Sequence, residues 1–255
     1  MPQVEYEVRD RIAYITMNRP EKLNAMTHEM LRGLWDAFTK VRDDDEVWLG
    51  IVTGEGRAFS VGHDLVEMST GGKMADTPGS TDELYLFMAT QVWKPIIAAV
   101  NGICLAQGAG VALGADIRVV ADNVQFGWPQ VKRGISSISG PVILSQRVPI
   151  GKALEILLTG EFISAQEALE LGLVNYVVPA ADVMPKAEEL ASKILANAPL
   201  AVRGMKEAAV RGLDLPLRDR LEVATNIYDR LQDTEDAAEG LAAFNEKRPT
   251  VFRGR

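Results

Sequence analysis

Few side chains in this sequence are of a type that does chemistry. There are two histidines, His28 and His63, and one cysteine, Cys104. Imidazole titrates near neutral pH, which makes His63 the sharpest candidate base. His28 falls on the outer face of a long helical pattern, and Cys104 ends a buried apolar run, where a thiol is inert. The strongest backbone signal is the run Ala106-Gln107-Gly108-Ala109-Gly110, which follows the apolar residues 95–100. Glycine lets a ligand or another chain segment approach the backbone closely, here at Gly108 and Gly110. A turn of this kind that opens a helix points unpaired N–H groups outward and forms an anion site. Two such donors aimed at one atom stabilise an oxyanion.

Those residues must be held by regular elements. Residues 4–8 and 12–17 flank Arg9-Asp10-Arg11 and read as a hairpin. Thr27 fits the N-cap of a helix to about residue 41, with Met30, Leu31, Leu34, Phe38 and Val41 on one face. Residues 47–53, 58–61, 95–100, 117–121, 124–127 and 175–178 read as strands. Helices are predicted over 108–114, 141–147 and 152–158, and after the capping boxes Ser80/Glu83 and Ser164/Glu167. From 185 onward the pattern is helical throughout (185–196, 199–211, 216–231, 234–245), with proline near three of the starts. Strands alternating with helices, followed by helices alone, give an α/β core with a helical C-terminal extension.

The chain has 255 residues, 47% hydrophobic and 24% charged, which fits an ordinary globular protein. The net charge of −8 argues against nucleic acid as a partner. One cysteine excludes an intrachain disulfide framework, and two histidines argue against a His-rich metal site. Glycines and polar residues interrupt the apolar stretch 95–112, so no membrane span is expected, and the first eleven residues lack an apolar signal core. A cytoplasmic location is the resulting expectation.

Four segments take the reading further. They are Asn18-Arg19-Pro20-Glu21-Lys22-Leu23-Asn24-Ala25, the run from Gly56 through Ala58, Phe59, Val61 and His63-Asp64-Leu65, the run from Asn101-Gly102 to Asp116, and Gln125-Phe126-Gly127-Trp128-Pro129-Gln130 with Val131-Lys132-Arg133-Gly134. In this order they resemble the enoyl-CoA hydratase/isomerase (crotonase) family. Residues 160–173 and the ending Phe244-Asn245-Glu246-Lys247-Arg248-Pro249 are similar to that family too.

The resemblance implies the crotonase fold of repeated ββα units, here residues 1–195, and a helical trimerisation region, residues 196–255. Leu221, Ile227, Leu231, Leu241 and Phe244 would be available to bury in a homotrimer or homohexamer. It implies an enzyme acting on an acyl-CoA thioester, with coenzyme A as part of the substrate and no separate cofactor or metal. By position, the oxyanion donors are the N–H groups of His63 and Gln107. The coenzyme contacts are Lys22, Ala25, Ala58, Val61, His63, Asp64 and Leu65, with Phe244 and Lys247 reaching a neighbouring subunit's nucleotide.

The two glutamates of the family's hydratases fall on Gly110 and Gln130, neither of which accepts a proton at neutral pH. Gln130 can still orient a water or a carbonyl. The implied activity is therefore a variant hydratase, isomerase or hydrolase. A non-catalytic CoA-ester-binding protein and a CoA-independent β-diketone hydrolase are the alternatives. Asp82, Glu83 and Tyr85 fall where the family lines its acyl pocket, and Gln107, Ser136, Ser137 and Ser139 would give it a polar wall. Trp128 lines that pocket or packs, and Asp116 is structural, with an arginine as its expected partner.

Overall fold

The computed structural model describes residues 2–70 and 81–255, with the backbone alone for 81–83. The hairpin β1 (Val4–Arg9) and β2 (Ile12–Met17) turns at Asp10 and Arg11, both at positive φ. Helix α1 (His28–Asp43) follows, capped by the Thr27 hydroxyl, which accepts from Met30 N at 3.1 Å. Three ββα units come next. They are β3 (Leu49–Gly54), β4 (Ala58–Ser60) and α2 (Leu65–Thr70); then, after α3 (Thr81–Thr90), β5 (Ile96–Val100), β6 (Ile103–Leu105) and α4 (Gln107–Gly114); then β7 (Ile117–Ala121), β8 (Gln125–Gly127) and α5 (Ser139–Arg147).

The units divide their strands between two sheets. The first strand of each enters a six-stranded sheet, order β1-β2-β3-β5-β7-β10, parallel from β2 onward. The second enters a four-stranded sheet, order β4-β6-β8-β9. Strands β3, β5 and β7 are buried almost throughout, which is why they read as continuous apolar runs rather than alternating ones. Helix α6 (Ile150–Thr159) leads to β9 (Ile163–Ser164), α7 (Ala165–Glu170, capped by Ser164), β10 (Tyr176–Val178) and α8 (Val183–Leu195), which packs on β5 and β7.

Helices α9 (Pro199–Arg211), α10 (Leu217–Leu231) and α11 (Glu235–Glu246) complete the chain. Lys206 of α9 pins this region to the sheet, its Nζ 2.7 Å from Asp116 Oδ2, while the same carboxylate accepts from Ile96 N at 2.7 Å. The expected arginine partner of Asp116 is therefore a lysine. Leu221, Leu241 and Phe244 stand exposed, and Ile227 is buried against α9. No helix among the described residues is long and apolar enough to cross a membrane.

The elements depart from the expectations in places. Helix α4 begins one residue earlier, at Gln107. Strands β6 and β9 and helix α2 were not anticipated; their three, two and six residues are too few for a periodic signal. The Ser80/Glu83 capping box lies outside the described residues.

Candidate active site

Loop 18–25 is held by one buried side chain. Asn24, fully buried and at φ +54°, accepts from Arg19 N and donates to the carbonyls of Glu55 and Ala58. The Ser60 hydroxyl donates to Asn24 O at 2.7 Å and accepts from Gly62 N at 3.1 Å, so this loop and the exit of β4 move together. Asp64 is clamped by Arg19 Nη1 at 2.6 Å, and its other oxygen caps α2 through the N–H groups of Val66 and Glu67. The Arg19 hydrogen bond, aided by those N–H groups, holds its carboxyl below the usual carboxylate range.

The peptide of His63 has a fixed direction. Met26 N donates to Gly62 O, and Asp64 N donates to Met26 O. Gly62 C=O and His63 N–H belong to one trans peptide and point opposite ways, so the N–H of His63 is turned away from Met26. Gln107 N is only 3.0 Å from where a Cβ on Gly62 would stand, and Gly62 itself is at φ +88°. Gln107 is the first residue of α4, so its N–H points out of the helix end, where the positive end of the helix dipole also lies. Ala106 turns the chain into that orientation at φ 51°, a strained conformation for a residue with a Cβ. Gly108 lets the segments meet; a Cβ there would be 2.3 Å from Ser60 O.

The two backbone segments border a cleft of about 520 Å³. Its walls include Lys22, Ala25, Val61, His63, Asp64 and Leu65 on one side, and Gln107, Gln130, Arg133, Ser136, Ser137 and Ser139 on the other. Ala58 is buried in β4, not on the cleft wall, and Phe244 and Lys247 are exposed away from it. Trp128 packs in the core beneath Gly140. Tyr85 lies against Gly114 at the edge of the core, outside the cleft. The side chains of Asp82 and Glu83 lie outside the described residues.

The cleft is lined mainly by apolar groups, Leu65, Met68, Leu105, Ile135 and Ile138 among them, and is nearly without acids. Among the described residues, Asp64 is its one carboxylate, and Arg19 neutralises it. The space above Gly110 is filled: a Cβ there would meet Gln107 Oε1 at 2.8 Å and the Ser139 side chain at 3.1 and 3.2 Å. A carboxamide and a hydroxyl close over the place from which a side chain at 110 would project. Gln130 Oε1 is buried and meets no hydrogen-bond donor among the described residues, so it is ready to accept from a bound O–H.

Burial, together with the charge of His28, pushes His63 down to about 4. His28 is therefore half-buried and electrostatically coupled to His63, not a surface residue. The imidazole of His63 is neutral at pH 7. The unfolded chain takes up its proton near pH 6.5 and the folded chain only near 4. This contribution to stability is complete above about pH 6.5 and is lost as pH falls toward 4, by on the order of 2–3 kcal/mol. Urea unfolding at pH 7 and pH 4.5 should show that loss in the wild type and a smaller one in His63→Gln; equal losses would contradict it.

The sequence profile of the enoyl-CoA hydratase/isomerase family matches residues 7–255. The chain belongs to the enoyl-CoA hydratase/isomerase family. It is 36% identical over 253 residues to the (E)-benzylidenesuccinyl-CoA hydratase of Thauera aromatica, covering 98% of this chain and 99% of the relative. It is 35% identical to the short-chain-enoyl-CoA hydratase of Clostridium acetobutylicum, covering 95% and 94%. The crystal structure of enoyl-CoA hydratase from Mycobacterium tuberculosis H37Rv superposes with a TM-score of 0.92 at 36% identity and covers 100% of both chains. The α/β architecture is thus the crotonase fold, and the chain is an acyl-CoA enzyme of the enoyl-CoA hydratase/isomerase family.

Proposed function

We propose that the cleft binds a CoA thioester whose carbonyl oxygen accepts hydrogen bonds from the N–H groups of His63 and Gln107. The reaction then passes through a thioester enolate, whose negative oxygen those donors stabilise. The observation that carries this reading is the convergence of two backbone segments from different ββα units: the Gly62–His63 peptide, its N–H turned away from Met26, and Gln107 N beside Gly62. Lys22, Ala25, Val61, Asp64 and Leu65 would line the coenzyme arm, with Lys22 toward its phosphates. Phe244 and Lys247 would serve a neighbouring subunit in a trimer or hexamer.

The relatives' names favour hydration of an α,β-unsaturated acyl group. With Gly110 and Gln130 at the glutamate positions, Gln130 Oε1 orients the attacking water. The water oxygen bonds to Cβ as the C=C pair moves into the thioester enolate, and a proton of that water passes to Cα as the enolate collapses, so no side-chain base is used. Stabilisation of the enolate, rather than strong base catalysis, then supplies the rate. Turnover should be measured on crotonyl-CoA and larger enoyl-CoA esters, on 3-oxoacyl-CoA esters and on a free β-diketone, with binding measured in parallel. Slow hydration of an enoyl-CoA, unchanged from pH 5.5 to 7.5 because His63 stays neutral, is the expected result. Binding without turnover would favour a non-catalytic role, and cleavage of the diketone alone would overturn the coenzyme reading.

A further inference from the structure

Gln130 and Arg133 lie on one 3-10 turn, Pro129–Arg133, closed by Gly134 at φ +69°. In a 3-10 helix, residues three apart eclipse, about 6 Å apart along the axis. Both line the cleft, whereas Lys132 of the same turn points elsewhere and pairs with Glu161 at 2.6 Å. Among the described residues, Arg133 and Lys22 take part in no ion pair. Asp64 is already compensated by Arg19, and the groups around Gly110 are neutral. Among the described residues, the cleft therefore carries two uncompensated cations. Lys22 comes from loop 18–25, and Arg133 from the turn that also carries Gln130; Ser136 and Ser137 line the same cleft.

We infer that the acyl group of the substrate carries a second, anionic carboxylate, and that Arg133 receives it. This rests on the reading that the cleft binds a CoA thioester. Two carboxylates at positions 110 and 130 would repel such an acyl group; Gly110 and Gln130 remove that repulsion, and Arg133 supplies attraction. The planar guanidinium holds a carboxylate through two parallel N–H donors.

Calorimetric binding of glutaryl-CoA and valeryl-CoA, equal in carbon count, tests the inference on the wild type, Arg133→Gln, Arg133→Lys and Lys22→Gln. Wild type should bind glutaryl-CoA about 10-fold or more tightly than valeryl-CoA, the size expected for one charged hydrogen-bonded pair. Arg133→Gln should remove that preference and leave valeryl-CoA binding within about twofold of wild type; Arg133→Lys should restore part of it. Lys22→Gln should weaken both esters alike. Equal wild-type affinities, or an Arg133→Gln variant that weakens both esters equally, would overturn the inference and make Arg133 a contact for the coenzyme. Failure of both esters to bind folded wild type would remove the coenzyme reading, and this inference with it.

Discussion

Gln107→Pro should lower kcat/KM by about 10²–10³-fold, while Gln107→Ala lowers it by about 10-fold or less. The two variants separate the backbone from the side chain. Both lose the carboxamide that folds over Gly110, but only proline loses the N–H. Proline is common at the first position of a helix, where its missing N–H breaks no helical bond. The size is that measured elsewhere for removing one oxyanion donor. Thermal melts check that the Ala106 turn survives; Gln107→Pro should melt within a few degrees of Gln107→Ala. Equal activity losses in two folded variants would assign the role to the carboxamide instead.

Gly108→Ala should be among the most damaging single methyls in the site. Its Cβ would stand 2.3 Å from Ser60 O and 2.9 Å from the Ser60 carbonyl carbon and Cβ. No rotamer relieves a clash with backbone, so α4 and the exit of β4 must separate. Ser60 also bonds Asn24 and Gly62, so the shift passes into the loop that carries His63. Overpacking of this kind costs about 1–3 kcal/mol, and more where the backbone must move. Activity should fall at least as far as in Gln107→Pro, accompanied by a lower Tm. Gly151→Ala, whose Cβ meets nothing within 4 Å, is the control. Wild-type stability and activity in Gly108→Ala would mean that this close approach does not set the donor geometry.

Much of the fold was legible because its signals are local. Thr27 and Ser164 accept from the helix N–H three residues on, as their spacing implies. The buried parallel strands announce themselves as apolar runs. The site was legible only in part. Gln107, Gln130 and the three serines reach the cleft, and they do so because the glycine-rich turn and the Pro129–Gly134 turn are positional signals. Arg133 carries no comparable signal although Pro129 and Gly134 bracket its turn, since its alignment with Gln130 depends on that turn being 3-10. The His28–His63 coupling and the Lys206–Asp116 pair bridge segments 35 and 90 residues apart, and no local pattern encodes such meetings.

The most direct test is isotope-edited infrared spectroscopy of an enoyl-CoA labelled with ¹³C at the thioester carbonyl, bound to wild type, Gln107→Ala and Gln107→Pro. Two converging N–H donors polarise that carbonyl, so its stretch should move to lower frequency in wild type and Gln107→Ala and return most of the way in Gln107→Pro. A bound carbonyl absorbing as it does in water, the same in all three proteins, would contradict the account.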